Sequence, residues 1–470
     1  MLFNTWFFVA FFVVVYLIYL RLRHEGQNRL LLAASLFFYG FWDVRFAALL
    51  VLSSAFDWYC GRRMKQSATD RGRRFWVGAV VVSNMGILGA FKYYDFFVNS
   101  LTTSLQWLGF HPSSLALGVI VPVGISFYTF QTISYVIDLY RGDVEECRSL
   151  RDYLLFVSFF PQLVAGPIER ASHLIRQVTR VRTITVEGVR LGVWHLVLGY
   201  FLKVFAADNL AGIADDAFAH GQSGATLLLG VYAFAFQIYC DFGGYSEIAR
   251  GLAYLMGFEL MENFRVPYFA TGPREFWRRW HISLSTWLRD YLYIPLGGSH
   301  KGTARMYVNL MLTMLLGGLW HGAQWKFVLW GLYQGILLVS ERLLESRLNF
   351  SSRPSDPWTL SRAARAAVFF QFTCLGWLIF RCNEIAQIWR VPLAVIQNFN
   401  PGPVDVQTLQ LIALLVAPVL IIDLWREGAA SPAFVFRWPW PFRWATSLVM
   451  ISLVLLLGSR GGVQFIYFQF

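Results

Sequence analysis

The stretch that decides the fold runs from Pro273 to Gly322 and reads PREFWRRWHISLSTWLRDYLYIPLGGSHKGTARMYVNLMLTMLLGGLWHG. It begins with aromatic and basic residues, passes through a glycine-rich basic loop and ends in an apolar run. The run from Met306 to Trp320 contains no charged residue, and His321 follows it directly. Because an ionisable residue inside a membrane span is costly, His321 is a candidate functional residue. His281, in the aromatic and basic part, is the second candidate.

The composition is that of a membrane protein. The chain has 470 residues, of which 56% are hydrophobic and 18% aromatic, and its mean hydropathy is +0.48. These values are too apolar for an ordinary soluble domain. The net charge of +12 need not indicate a nucleic acid, because basic residues of membrane proteins collect in cytoplasmic loops, so we expect no nucleic acid partner. The five cysteines show neither metal-ligand spacing nor a paired framework, which predicts buried free thiols and no metal site.

Twelve apolar runs are close to the length that crosses about 30 Å of hydrocarbon. They are Leu2–Leu20, Leu30–Gly40, Val44–Cys60, Phe75–Val98, Leu115–Ile137, Val189–Phe205, Ala225–Cys240, Met306–Trp320, Trp325–Val339, Ala366–Phe380, Leu409–Leu424 and Trp444–Leu457. The sequence therefore predicts an all-α, polytopic membrane protein with about 12 transmembrane crossings. The first run lacks a basic region before it and a small-residue cleavage site after it, so we predict a retained span and not a signal peptide.

Two further segments are predicted to enter the protein without crossing it. Tyr153–Gly166 is apolar but short and interrupted by Pro161, which predicts a re-entrant or buried helix. Pro267–Arg305 mixes tryptophan, tyrosine and arginine, which is typical of an interfacial helix pair. The chain shows no repeat of fixed period and no soluble domain, so we predict one domain over residues 1–470, with its motifs concentrated in residues 240–325.

The distribution of lysine and arginine predicts the orientation. The segments Arg21–Arg29 and Gly61–Arg74 are basic, whereas Asn99–Ser114 and Asp208–Gly224 contain neither lysine nor arginine. By the positive-inside rule the basic segments are cytoplasmic. An even number of crossings then places both termini outside, which in a Gram-negative cell is the periplasm.

Six short motifs follow one another along the chain. They are GFW (40–42), QLVAGPIER (162–170), DFGGYS (241–246), RRWHISLS (278–285), GLWHG (318–322) and FIYFQF (465–470). Together they resemble the membrane-bound O-acyltransferase family, and they are most similar to its bacterial branch that O-acetylates exported polysaccharides such as alginate. The sequence departs from the family pattern at Gly243, at Glu247 and in the loop Gly297–His300. These departures leave both motif histidines in place.

The resemblance implies an all-helical enclosure with a funnel from each face, and His321 as the catalytic histidine where the funnels meet. A neutral imidazole beside a hydroxyl and a thioester can assist acyl transfer as a general base. Taken alone, a buried histidine is more often structural, so the assignment of His321 depends on the motif around it. For His281 the alternative is a structural histidine that anchors an interfacial helix.

The residues around His281 are predicted to bind the acyl donor or substrate. The predicted set is Arg278, Arg279, Trp280, Arg289, Asp290 and Trp320. Its arginines could bind donor phosphates bidentately, although positive-inside residues are the plainer interpretation. On a continuous helix Asp290 would face away from His281, so we expect Asp290 to pair with an arginine.

The resemblance implies transfer of acetyl groups from a cytoplasmic thioester, most simply acetyl-CoA, across the inner membrane to an exported polysaccharide. No bound cofactor is expected, and the implied protein partner is a periplasmic acetyltransferase of the serine-hydrolase type. Two alternatives stay open. One is transfer of D-alanyl or another acyl group from a carrier protein, and the other is a transporter or flippase. A transporter predicts inverted repeats and paired charges inside spans, and the sequence shows neither.

The aromatic C-terminal motif, residues 465–470, is costly to leave in water and should be buried. It is either a plug or docking strip at the outer funnel, or an acyl relay. In the relay, the Tyr467 hydroxyl receives the acetyl group with His321 as base, and a phenol ester is a good donor because phenolate is a good leaving group.

Overall fold

The computed structural model describes residues 1–110, 113, 115–164, 166–348, 359–429, 432–459 and 465–466. Within them the regular structure is helical and contains no strand, which confirms the predicted all-α class. The chain forms two compact units, Met1–Gly192 with Ala249–Met261 and Val193–Ile248 with Glu262–Phe470. We call them unit 1 and unit 2. The prediction of one domain over residues 1–470 stays a prediction.

Unit 1 contains the first nine helices and the start of the tenth. They are α1 (Trp6–Tyr19), α2 (His24–Gly40), α3 (Val44–Gln66), α4 (Asp70–Leu88), α5 (Tyr94–Trp107), α6 (Ile125–Arg141), α7 (Leu150–Ser158), α8 (Phe160–Leu163), α9 (Ala171–Thr179) and α10 (Val186–Tyr200). A π-helical segment, Gly89–Tyr93, joins α4 to α5. The Tyr19 hydroxyl donates a 2.6 Å hydrogen bond to the Met256 carbonyl, which ties Ala249–Met261 to α1.

Helices α7 and α8 form the buried part of unit 1. Every residue from Tyr153 to Val164 is buried, so the predicted buried helix in Tyr153–Gly166 is confirmed. The predicted span Leu115–Ile137 is wrong in its first half, because α6 begins only at Ile125. The cause is Gly124, whose φ of +76 lies in the left-handed region and interrupts the helical backbone. Gly124 also packs tightly against α8, because a Cβ at this position would lie 2.6 Å from the Leu163 carbonyl oxygen.

Unit 2 contains the end of α10 and most of the remaining helices. They are α11 (Asp208–His220), α12 (Gly224–Leu255), α13 (Pro273–Arg279), α14 (Ile282–Leu288), α15 (Thr303–His321), α16 (Trp325–Leu348), α17 (Leu360–Arg381), α18 (Gln387–Gln397), α19 (Pro403–Glu427) and α20 (Trp440–Leu457). Residues 249–255 of α12 belong to unit 1. The short helices α13 and α14 confirm the helix pair predicted within Pro267–Arg305.

Seven helical segments among the described residues are long and apolar enough to cross a membrane. They are Asp70–Trp107, Val186–His220, Gly224–Leu255, Trp325–Glu345, Leu360–Arg381, Pro403–Glu427 and Trp440–Leu457. Each contains one of the twelve predicted runs. The other five runs overlap helices that are shorter or more polar, namely α1, α2, α3, α6 and α15. The polytopic character is confirmed, with seven segments meeting this criterion.

Helices α15 and α16 form a tight hairpin that places His321 at its turn. Gly318 and Gly331 make the close approach possible, because a Cβ at either position would overlap backbone atoms of the other helix. Helix α15 ends at His321, and Gly322 continues in an extended conformation before α16 begins at Trp325. The histidine is therefore fixed at a helix end.

Candidate active site

The two predicted catalytic histidines meet at one tryptophan. His321 is the last residue of α15 and is 5% exposed, and His281 lies between α13 and α14 and is 0% exposed. The Trp320 indole has its ring centroid 5.0 Å from that of His321 and 6.0 Å from that of His281. Unit 2 thus brings together both histidines and Trp320, which were singled out from separate motifs.

His321 lies among aromatic rings. The Trp330 ring centroid is 5.1 Å away and the Phe380 ring centroid is 5.5 Å away, both in edge-to-face arrangements. We call Trp320, Trp330 and Phe380 the aromatic cage. These rings fix the orientation of the imidazole through shape and edge-to-face contacts and shield it from water.

His281 has a strained backbone. Its φ of 43 and ψ of 54 lie in the left-handed region, which a residue other than glycine seldom occupies. Such a conformation costs on the order of 1–3 kcal/mol and is concentrated at functional sites. Burial lowers the pKa of His281 to about 3, so the imidazole is neutral at physiological pH. The Phe242 ring contacts it at 4.7 Å between centroids.

The left-handed residue breaks the helix between α13 and α14. Asp290 lies in a π-helical segment, Arg289–Tyr293, and pairs with Arg289 at 2.7 Å between Oδ1 and Nε. The expectation that Asp290 pairs with an arginine is confirmed. Trp280 is buried and stacks on Phe276 with centroids 5.5 Å apart, so it packs within the α13 region.

The predicted donor-binding arginines have different surroundings. Arg278 and Arg289 are exposed. Arg279 is buried, where its guanidinium bonds to Glu275 at 2.7 Å and to Glu427 at 2.9 Å. Arg362 also bonds to Glu427, at 3.0 Å.

We call Glu275, Arg279, Arg362 and Glu427 the carboxylate–arginine network. Burial alone would lower the pKa of Arg279, but the bonds to Glu427 and Glu275 raise it above its usual value, so the guanidinium stays charged. Because Glu427 ends α19 and Arg362 lies in α17, the network joins α13 to both helices.

Paired charges lie inside candidate spans, which the sequence analysis did not foresee. Lys203 Nζ is 2.8 Å from Asp208 and 2.7 Å from Asp241, and all three residues are buried. His195 Nδ1 is 2.6 Å from Glu247, which also pairs with Arg426 at 2.9 Å. The statement that spans lack paired charges is therefore wrong. Lys203 and Asp208 share the segment Val186–His220, but Asp241, Glu247 and Arg426 lie on other helical segments than the residues they pair with, so only the tertiary structure reveals these pairs.

The C-terminal motif begins within this site. The Ile466 backbone N–H donates a 2.7 Å hydrogen bond to Asp241 Oδ2. The Phe465 ring packs on Tyr245 at 4.5 Å and on Phe242 at 5.8 Å between centroids. Phe242 therefore contacts both the tail and His281. Tyr467, the third predicted catalytic residue, lies outside the described residues.

A cavity of about 590 Å³ lies beside the start of α13. Its walls come from residues 271–273, α16 and α17, and they are mostly apolar with Glu341, Glu345 and Arg365 among them. Neither histidine lines this cavity, so we place no chemistry in it. The five cysteines are buried free thiols, as predicted.

Candidate spans together with two buried histidines that share a tryptophan define a polytopic membrane protein with a histidine site. Residues 146–382 match the profile of the membrane-bound O-acyltransferase family. On this match and on the relatives described next, the chain belongs to the membrane-bound O-acyltransferase family. It is thus an O-acyltransferase, and the transporter alternative is wrong.

Several relatives are similar over most of the chain. The chain is 40% identical to the probable alginate O-acetylase of Azotobacter vinelandii over 425 residues, 90% of this chain and 83% of the relative. It is 42% identical to the probable alginate O-acetylase of Pseudomonas aeruginosa over 83% of this chain and 74% of the relative. It is 36% identical to the peptidoglycan O-acetyltransferase of Helicobacter pylori over 83% of this chain and 79% of the relative.

Proposed function

We propose that the protein transfers acetyl groups from a cytoplasmic thioester, most simply acetyl-CoA, to an exported polysaccharide outside the inner membrane. The observation that carries the proposal is the position of His321, buried in the aromatic cage and linked through Trp320 to His281. A shielded imidazole is suited to general-base catalysis, and exclusion of water protects a thioester from hydrolysis.

In the proposed reaction His321 accepts the proton of an acceptor hydroxyl as its oxygen attacks the thioester carbonyl. The tetrahedral intermediate then collapses, the carbon–sulfur bond breaks, and the acyl group remains on the acceptor oxygen. The imidazolium returns its proton to the departing thiolate, which leaves as a thiol. The neutral imidazole of His281 contacts Trp320 and supports that wall of the site.

The donor is proposed to approach through the exposed arginines. Arg278 and Arg289 are exposed and so are accessible to the phosphates of CoA. Arg289 donates its Nε–H to Asp290, and its guanidinium carries further N–H groups that can bind a phosphate. Arg279 has two carboxylate partners, so its proposed contribution is to fix α13, on which Arg278 lies. Trp280 and Asp290 support the same region.

An alginate-like acidic polysaccharide is the proposed acceptor. Two similar relatives are named as alginate O-acetylases, at 40% and 42% identity. Peptidoglycan is the second candidate, because the relative named for it is 36% identical over most of both chains. In either case we propose that both termini face the periplasm, where a serine-hydrolase-like acetyltransferase takes part in the final transfer.

The test uses purified protein in proteoliposomes with acetyl-CoA labelled in the acetyl group. His321→Ala should lower acetyl transfer by at least about 100-fold, as expected for loss of a general base. His220→Ala is the matched control, because His220 is exposed and pairs with Asp216 one turn away on the same helix. Retention of more than a few per cent of wild-type transfer by folded His321→Ala protein would overturn the assignment. Transfer from an acylated carrier protein but not from acetyl-CoA would favour the D-alanyl type of donor.

A further inference from the structure

Two chain segments lie side by side around the strained His281. The Arg265 backbone N–H donates to the Arg279 carbonyl at 2.9 Å, and the Ile282 N–H donates to the Asn263 carbonyl at 2.9 Å. Residues 263–266 therefore run antiparallel to residues 279–282. Each segment contains a left-handed residue other than glycine, Val266 with φ 46 and His281 with φ 43. Two such residues in one short pairing persist only where neighbouring contacts compensate for the strain.

Asn263 supplies much of this compensation. Its Oδ1 accepts the Ser283 hydroxyl at 2.7 Å and the Ser283 backbone N–H at 3.4 Å, and its Nδ2 donates to the Ser246 hydroxyl at 3.2 Å. With the Ile282 bond to its carbonyl, Asn263 binds both residues that follow His281. Asn263 is 1% exposed and Ser246 is also buried, so these bonds are shielded from competing water.

The backbone angle at His281 sets where its imidazole lies. At the observed φ the ring contacts Phe242 on one side and Trp320 on another. A return to negative φ would redirect Cβ and move the ring away from one of these neighbours. Whatever fixes residues 282 and 283 therefore fixes the imidazole.

We propose that Asn263 is a positioning residue for the acyl-transfer reaction, which keeps His281 left-handed and its imidazole against Trp320. This inference rests on the proposed function, in which Trp320 is the wall between the two histidines. Asn263 acts through His281 and does not touch the reacting groups. Its contribution should therefore vanish when His281 is absent.

The experiment is a double-mutant cycle in proteoliposomes with Asn263→Ala, His281→Ala and the double variant. Asn263→Ala should lower kcat for acetyl transfer by about 10- to 100-fold, the cost of a small misplacement, and change the KM for acetyl-CoA by less than about twofold. In the His281→Ala background the same substitution should change kcat by less than about twofold. Asn263→Asp, which keeps the Oδ1 acceptor, should restore part of the lost kcat.

Asn84→Ala is the control for loss of a buried asparagine. Asn84 is 2% exposed, and its Nδ2 bonds to Asp57 and to the Val80 carbonyl, within unit 1. The Asn84→Ala substitution should leave unchanged the factor by which His281→Ala lowers kcat. Equal losses from Asn263→Ala with and without His281, or wild-type kcat in Asn263→Ala, would overturn the proposal.

A second measurement separates this proposal from the proposed function. Asn263→Ala should increase amide hydrogen exchange, measured by mass spectrometry, in the peptide that contains Ile282 and Ser283, even if the donor is not acetyl-CoA. Unchanged exchange there would show that Asn263 does not fix this backbone. A wild-type protein that transfers nothing from acetyl-CoA, but shows the exchange increase on substitution, would contradict the donor and leave the positioning role supported.

Discussion

The Ile466 N–H donates to Oδ2 of Asp241 across 225 positions of sequence. The other oxygen of this carboxylate, Oδ1, is 2.7 Å from Lys203 Nζ, so the lysine fixes the group that docks the tail. The tail contact uses a backbone donor, which makes it independent of the side chain at 466. Phe465 packs on Phe242, and Phe242 contacts His281, so a single aromatic ring contacts both Phe465 and the imidazole of His281.

Removal of this carboxylate should release the tail. Asp241→Ala should lower polymer acetylation by at least about tenfold if the docked tail contributes to transfer, while the protein stays folded. Folding should survive because Lys203 keeps its 2.8 Å ion pair with Asp208. The measurements are acetylation of polymer in cells and cleavage of the C-terminal peptide by a carboxypeptidase, which should become faster.

Asp208→Ala is the matched control for this prediction. It removes one carboxylate from the same lysine but leaves the Asp241 bond to Ile466. Equal loss of acetylation in both variants would show that the charge of the cluster matters and the docking bond does not. A further check uses protein truncated before Phe465, in which Asp241→Ala should have no additional effect.

The sequence predicted the elements whose signal is local. The uncharged run before His321 predicted α15 and its terminal histidine, and the interrupted apolar stretch around Pro161 predicted the buried α7 and α8. The left-handed His281 could not be predicted, because the segment that pairs with the backbone on either side of it, residues 263–266, lies outside the motif. The sequence also could not predict that Arg279 is buried in an ion pair whereas Arg278 and Arg289 are exposed. The Arg279 partner, Glu427, lies 148 positions later in the sequence.

The number and boundaries of the spans could also be predicted only in part from the sequence. Hydropathy counts every apolar run, but the boundary of α6 depends on a glycine that packs against the Leu163 carbonyl. Likewise, the charged residues within spans are tolerated because Lys203 meets Asp241 and Glu247 meets Arg426. Such pairs come from tertiary packing, so composition alone underestimates how polar the interior of unit 2 is.

The arginines of the motif should separate into two kinds. Arg279→Gln should destabilise the protein by about 3–5 kcal/mol, because it leaves Glu275 and Glu427 with one fewer buried partner. The double variant Arg278→Gln/Arg289→Gln should stay folded and raise the KM for acetyl-CoA with little change in kcat, the signature of lost ground-state binding. Thermal inactivation in detergent and steady-state kinetics measure the two effects. Unchanged donor dependence in the double variant would leave both arginines with a topological role alone.

The burial of His281 predicts how stability depends on pH. Its pKa is about 3 in the folded protein and 6.5 in an unperturbed chain, so the unfolded state binds the extra proton between these values. The contribution to stability is therefore complete above about pH 6.5 and is lost as the pH falls, by about 2 kcal/mol between pH 7 and pH 5. His281→Asn, which tolerates the left-handed conformation, should remove this part of the pH dependence. Thermal inactivation at pH 7 and at pH 5 measures this loss of stability in the wild type and in His281→Asn. An equal loss of stability between the two pH values in both proteins would contradict the prediction.

The final prediction concerns Tyr467, which directly follows the docked Ile466 in the sequence. In the relay the phenol oxygen attacks the thioester carbonyl, His321 takes the phenol proton, and the thiolate leaves with that proton. The acetyl group is then passed to an acceptor hydroxyl, whose proton returns to the phenolate. In the plug interpretation the tail only closes the outer funnel or binds the periplasmic partner.

Tyr467→Phe distinguishes these roles, because it keeps the aromatic ring and removes only the hydroxyl. A relay loses polymer acetylation by at least about 100-fold, since the nucleophile is gone, whereas a plug keeps nearly all of it. Mass spectrometry of the C-terminal peptide after incubation with acetyl-CoA should show an added acetyl group in the wild type, and more of it when the acceptor is withheld. The same peptide from His321→Ala should stay unmodified, because the base that activates the phenol is absent.

Phe468→Leu is the control for a change in the tail that spares the hydroxyl. Full acetylation by Tyr467→Phe would establish the plug, and loss of acetylation in Phe468→Leu equal to that in Tyr467→Phe would assign the effect to packing of the tail.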